Sequence, residues 1–365
     1  MNLKKMPARF KRIFVNSKAV LKDRNKKNVL RMLKEATIIA AKRRCLPTHY
    51  FSYFVYRKGT ENYLDFISGK DANKIHRTLH NPVTLQILDN KLLFHEHFSK
   101  LGISVPKRIA YNLNRLWFID KAKGLIREEV RTIEDFITLM RNLFQDSGSE
   151  ALFAKPVRSS GGMGAIKISR KLLMSIQSEN LRNLFHHLTS RSYIIQENVI
   201  QHPAMSRFNP SSLNTIRIDT FYSYESSAEI ISALLRMGHS GSDIDNMMSG
   251  GMIIGIDVTS GKLRGNALTK LEHGGMIYSK HPESGIEFKD SIIPYFSEVK
   301  EMACQAANSL ADELVGWDIG ISTEGPVLIE GNGNYELQYL DALYGGYRRH
   351  PVFRKAMAKA GMKLS

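Results

Sequence analysis

The stretch "FAKPVRSSGGMGAIKIS", Phe153–Ser169, narrows the possible folds of this chain more than any other. Lys155 ends an apolar run, and Ser159, Ser160, Gly161, Gly162 and Gly164 follow it. The chain then alternates apolar and polar residues from Ala165 to Ser169. Glycines remove the Cβ atoms that would stop backbone N–H groups from turning toward one point, which suits phosphate oxygens. Alternation with a period of two predicts a strand behind the loop. The Walker-type loop and the dinucleotide fingerprint both need a helix there, so neither fits. Two readings stay open: a hairpin flap that covers phosphates, with Lys155 anchored in its first strand, or a hairpin that is only flexible.

A second pattern, "WDIGIS…VLIEGNGN", places Asp318 on one predicted strand and Glu330 on the next, joined by a turn at Gly325-Pro326. Asn332, two residues beyond Glu330, projects to the same side of an extended strand. Carboxylates in apolar strands are costly to desolvate unless a cation or donor compensates them. Three oxygen ligands of this kind suit Mg²⁺; arginine or lysine pairing in a structural network is the competing reading. At "YIIQENVIQHP" an apolar strand ends in amides and acids that suit an adenine edge and a ribose, or that simply leave a core.

Elsewhere the chain reads as ordinary globular α+β. Apolar residues recur at helical steps between Phe10 and Arg44 and again in "RTIEDFITLMRNL" and from about Tyr295 to Leu314. A helix is expected from about Asn90 to Gly102, where glycine and Val105-Pro106 end it. Further helical periodicity runs from about Lys171 to Leu188. Four alternating runs between Leu213 and Lys270 predict antiparallel sheet. At 365 residues the chain exceeds the usual size of one core. The expected divisions are a basic, mainly helical region 1–80, a lobe 81–200, a second lobe 201–345 and a tail 346–365.

The formal net charge of +17 is concentrated at one end. Residues 1–58 hold 17 Lys/Arg against two acids, Asp23 and Glu35, while the rest of the chain is nearly balanced. This segment suits an anionic membrane surface or a polyanion, or a basic helix lying on the body with its charges in water. It lacks the interleaved aromatics of single-strand nucleic-acid binders, so a nucleic-acid partner is not expected. Two distant cysteines argue against a disulfide framework and for a reducing cytoplasm. A secretory signal is not expected from the first residues.

In their order these parts resemble the ATP-grasp family, from "DNK" at Asp89–Lys91 through "LFAKPVRSSGGMG" and "IIQENV" to "WDIG…LIEGNGN", over roughly residues 85–340. The stretches "HPAMSRFNPSSLNTIRIDTF", "RMGHSGSDIDNMMSGGMIIGID" and "HPESGIEF" resemble its sugar-transfer-associated branch. The resemblance implies two α+β lobes sandwiching ATP. Lys91 and Lys155 would touch its phosphates under the flap, and Gln196, Glu197, Val199 and Gln201 would meet adenosine. Asp318, Glu330 and Asn332 would hold Mg²⁺. Gln196 stands where many family members have an acid.

The implied activity is an ADP-forming carboxylate–amine ligase working through an acyl phosphate. It would join an amine to a sugar carboxylate in cell-surface polysaccharide synthesis, in the cytoplasm or at the inner membrane face. Catalytic roles fall to Arg217, Arg236 and Lys155, and substrate contacts to Asn214, Arg217, Asp245, Asn246 and His281. Ligation of amino acids or peptides without sugar is an alternative, as is a membrane- or nucleic-acid-binding protein whose ATP-grasp fold is not catalytic.

Overall fold

The computed structural model describes residues 16–159, 161–174, 179–239, 250–310 and 314–363. Ser160, Asp245 and Asn246, three of the expected site residues, lie outside them. The chain divides into two compact units. The first comprises residues 1–81, 203–318 and 332–365, the second residues 82–202 and 319–331. The basic region and the C-terminal tail are therefore not separate appendages: both belong to the first unit.

Their place there follows from their apolar residues. The helix Val29–Arg43 turns Met32, Glu35, Ala36 and Ile39 inward. Met32 and Ile39 join one apolar core with Tyr50 and Tyr56, and with Tyr347, Phe353 and Met357 from the other end of the chain. The segment's two acids are used internally. Glu35 accepts from Lys27 at 2.6 Å, Arg31 at 2.8 Å and the Tyr50 hydroxyl at 2.7 Å, while Asp23 accepts from Arg57 at 2.7 Å and the Tyr56 hydroxyl at 2.8 Å.

The first unit carries most of a seven-stranded sheet of order β11-β10-β9-β8-β7-β12-β13. Its strands are β7 (Thr215–Ser223), β8 (Ser226–Met237), β9 (Met252–Ile256), β10 (Leu263–Thr269), β11 (Ile277–Tyr278), β12 (Leu314–Ser322) and β13 (Gly325–Asn332). β7 to β11 pair successively as an antiparallel meander, of which the alternating runs predict β7 to β10. The β12–β13 hairpin is shared, since Leu314–Asp318 and Asn332 fall in the first unit and Ile319–Gly331 in the second.

The second unit holds a six-stranded antiparallel sheet of order β3-β2-β1-β6-β4-β5. Its strands are β1 (Arg108–Leu113), β2 (Leu116–Lys121), β3 (Gly124–Glu129), β4 (Ala151–Pro156), β5 (Ile166–Ser169) and β6 (Tyr193–Glu197). The helices Ile133–Ser147 and Glu179–Ser190 cover it with Phe136, Met140, Leu143 and Leu184 in one core. Thr132 caps the first of these helices in a reciprocal box with Asp135. The shared hairpin is tied into this unit through His202 N to the Ile321 carbonyl and Leu328 N to the Ser104 carbonyl, both 2.8 Å.

Candidate functional site

In the second unit the glycine stretch is a hairpin. β4 and β5 pair antiparallel from Ala151–Ser169 to Ala154–Ile166, and residues 161–164 form the turn. Gly162 and Gly164 sit at φ +73° and +76°, where L side chains are strained. A Cβ at Gly164 would also stand 3.0 Å from the Pro156 ring. Glycine is the residue that takes these angles without strain.

Lys91 fixes the root of this flap. Asn90 caps the helix Lys91–Lys100 by accepting from Leu92 N at 3.0 Å, which puts Lys91 at its first position. Lys91 N donates to the Val157 carbonyl at 2.9 Å, and its ammonium donates to the Ser159 carbonyl at 2.8 Å. The same ammonium stands 3.5 Å from a Glu330 carboxylate oxygen, both side chains being mostly but not fully buried.

A narrow cleft with about 10 Å³ of free room, the space of a single water, opens beside this contact. Lys91, Lys155, Gln196 and Glu330 line it, with Leu88, Phe94, Val105, Pro106 and Ile329 as its apolar wall. Two lysines and a carboxylate on one apolar cleft are the residue types that meet phosphate oxygens and a hard cation, although the cleft as it stands has room only for water. The cavity thus brings together four of the expected nucleotide and metal residues. Glu330 offers carboxylate oxygens there for a hard cation.

The remaining hinge residues are engaged differently. Gln196 is buried and its amide donates to the Pro106 carbonyl at 3.1 Å, which fixes the side chain against the pocket wall. Glu197 pairs with Lys107 at 2.8 Å, so its carboxylate is spoken for by that lysine. Val199 is half-buried, and Gln201 makes a backbone bridge to Ser322. None of the last three lines the cavity.

In the first unit a buried charge cluster gathers four other expected residues, Arg217, Arg236, Asp318 and Asn332. Arg217 grips Asp318 with both arms of its fork, Nε to Oδ1 at 2.7 Å and Nη2 to Oδ2 at 2.9 Å. Arg236, opposite on β8, donates to Oδ2 at 2.8 Å, and the Asn332 amide reaches the same oxygen at 3.3 Å. Burial opposes charge on Asp318, but the two guanidiniums outweigh it and hold the carboxyl at about 2. The structure therefore gives Asp318 to the arginines. A metal ion would have to compete with two cations for an oxygen pair that already accepts four hydrogen bonds, so Asp318 does not fit the ligand role expected of it. Among the described residues, no group of three or more His, Cys, Asp or Glu is arranged to hold a metal.

Two expected substrate contacts are corrected outright. Asn214 is fully buried and spends its amide on the Met205 and Asn209 carbonyls, both 3.0 Å, where it closes a loop. His281 is also fully buried, and its Nδ1 accepts long hydrogen bonds from Glu283 N and Ser284 N within its own turn. Burial lowers its pKa, so the ring stays neutral inside the fold.

Other residues of the first-unit cluster escaped sequence reasoning. Asp219, two residues after Arg217 on β7, is fully buried and accepts from the Tyr347 hydroxyl at 3.1 Å. Burial raises it to about 7 despite the nearby Arg217. Tyr335 lies under the Arg217 guanidinium, 5.3 Å from ring centre to Cζ. The i, i+2 spacing of Arg217 and Asp219 was the one available signal, since alternate strand residues share a face.

The profile of the sugar-transfer associated ATP-grasp family matches residues 72–347. No curated protein matches the chain. Among solved structures, the ATP-grasp ligase PsnB with minimal precursor, Mg and ADP aligns at 13% identity and a TM-score of 0.41, covering 78% of this chain and 62% of PsnB. D-alanyl-alanine synthetase A from Vibrio cholerae aligns at 11% and 0.45, covering 77% and 66%. N5-carboxyaminoimidazole ribonucleotide synthetase from Thermotoga maritima aligns at 12% and 0.41, covering 78% and 53%. The chain thus spans between about half and two thirds of these proteins.

Proposed function

Since the chain belongs to the sugar-transfer-associated ATP-grasp family, we propose that it is an ADP-forming ligase that activates a carboxylate with ATP and Mg²⁺ and passes it to an amine. One observation carries this reading: Lys91 and Lys155 face a single pocket with Glu330, at the root of a glycine hairpin. In it a substrate carboxylate attacks the γ-phosphate, and the P–O bond to ADP breaks as the acyl–phosphate bond forms. An amine then displaces inorganic phosphate and loses a proton.

Such phosphoryl transfer depends on positioning and charge neutralisation. The two lysines neutralise phosphate oxygens from a rigid base, because each is anchored in an element of the second unit. Gly162 and Gly164 let the flap lie over the phosphates and keep water from the acyl phosphate. When bound, Mg²⁺ supplies further charge neutralisation, with Glu330 its best-placed carboxylate.

In the first unit, two guanidiniums share the Asp318 carboxylate, while burial favours the neutral form of the neighbouring Asp219. Arg217 and Arg236 are the groups suited to orient an anionic substrate. The substrate class favoured is a sugar carboxylate, such as a uronate of a cell-surface glycan, because the family profile that matches is the sugar-transfer associated one. Incubation with Mg-ATP, single amino acids and uronate sugars tests this, and ADP with phosphate is the expected release. AMP with pyrophosphate would contradict the acyl-phosphate route.

A further inference from the structure

The helix Val29–Arg43 buries one face, and no described residue covers the opposite face. At about 100° per residue, Leu30, Leu33, Lys34, Thr37 and Ala41 form a single outward stripe, opposite the core-facing Met32, Glu35, Ala36 and Ile39. Leu30 is 77% exposed and Leu33 58%. Leu21 and Leu46, in the segments flanking the helix, are 63% and 73% exposed. Single exposed leucines need no explanation, but four within 26 residues of sequence do.

The charges point the same way. Residues 16–58 carry 12 Lys/Arg and only Asp23 and Glu35 as acids. Both acids are engaged inside the fold by Arg57, Lys27 and Arg31. The outer cations thus have no acid of the segment left to them. Lys18 and Lys22 flank Leu21, Lys34 adjoins Leu33, and Arg44 precedes Leu46, all exposed.

We propose that this face docks on an anionic lipid bilayer, its leucines entering the interface while the lysines and arginines meet lipid phosphates. A polyanion such as duplex DNA would satisfy the cations but leave the leucines in water. A protein partner with an apolar patch would satisfy the leucines and leave the lysines uncompensated. An anionic membrane surface offers both an apolar layer and a dense negative plane to one helix face. The inference stands independently of the ligase reading, since it uses none of that site's residues.

The test is co-sedimentation of the full chain with vesicles of phosphatidylcholine alone or of phosphatidylcholine with about one third phosphatidylglycerol, which gives the surface a negative potential. The expected result is pelleting with the anionic vesicles only, weakened at least tenfold by raising salt to about 0.5 M. Leu30→Ser with Leu33→Ser should reduce partitioning at least tenfold with an unchanged melting temperature, both sites being exposed. Lys34→Gln with Lys22→Gln should reduce it and flatten its salt dependence. Equal binding by the leucine variant, equal binding to neutral vesicles, or binding to duplex DNA with none to vesicles would each overturn the proposal.

Discussion

Arg217 and Asp318 form a two-pronged ion pair at 2.7 and 2.9 Å, almost wholly out of water. Its energetics are lopsided. Taking both charges out of water costs several kcal/mol, which the pair and the second guanidinium of Arg236 offset. Removing the acid alone leaves two buried cations without compensation. Asp318→Asn should therefore destabilise the protein by about 3–5 kcal/mol, read as a lower midpoint in denaturant unfolding. If Asp318 instead served chiefly as a metal ligand, the same variant would keep the stability of the metal-free protein.

The pH dependence of stability has two opposed parts. Asp318 is held at about 2 against an ordinary 3.8, so its contribution is present above about pH 4 and is lost as pH falls toward 2. Asp219 and Asp341 move the other way. Burial raises them to about 7 and about 8, although Asp341 accepts from Ile67 N at 2.9 Å. A raised carboxyl binds its proton more tightly folded than unfolded, so stability falls as pH rises from about 4 to 8. Chemical unfolding across that range should show the decline, up to about 1.4 kcal/mol per pH unit for each such group. Asp219→Asn should make the curve shallower, and an unchanged slope would contradict the assignment.

Much of this architecture could be read from residues alone, and the failures have physical causes. The hairpin flap was legible because glycines at left-handed positions and an alternating strand leave little else. The meander from β7 to β10 was legible from its period-two pattern. The β2–β3 hairpin was not: every residue of β3 is exposed, so "GLIREE" lacks the alternation that marks a half-buried strand. The tail 346–365 read as an appendage because its core partners, Tyr50 and Tyr56, lie about 300 residues away in sequence. Asn214, through the family resemblance, and His281, as a loop histidine before Pro282, read as substrate contacts. Their burial depends on backbone carbonyls and turns that no local pattern announces.

Lys91 joins the flap root to the proposed nucleotide pocket, so its loss should affect both binding and turnover. Lys91→Ala is expected to raise the KM for ATP at least tenfold and to lower kcat, because the ammonium also holds the Ser159 carbonyl at 2.8 Å. Steady-state ATP turnover measures both quantities. A variant with unchanged KM would place the phosphates elsewhere.

Gly164→Ala addresses the flap itself. The added Cβ would meet Pro156 at 3.0 Å in a backbone region that costs about 1–2 kcal/mol for an L residue. Since the turn is at the surface, the expectation is a small shift in melting temperature with a drop in kcat of tenfold or more. Calorimetry and kinetics on the same preparation separate the two. A large loss of stability with normal kcat would make the glycine structural only.

The central claim is that the pocket faced by Lys91 and Lys155 holds Mg-ATP. Titration calorimetry of the full chain tests it without any knowledge of the other substrates. The account predicts one ATP site per chain, with affinity falling at least a hundredfold in the Lys91→Ala, Lys155→Ala double variant while the fold stays intact by circular dichroism. Binding by that folded variant with undiminished affinity would contradict it.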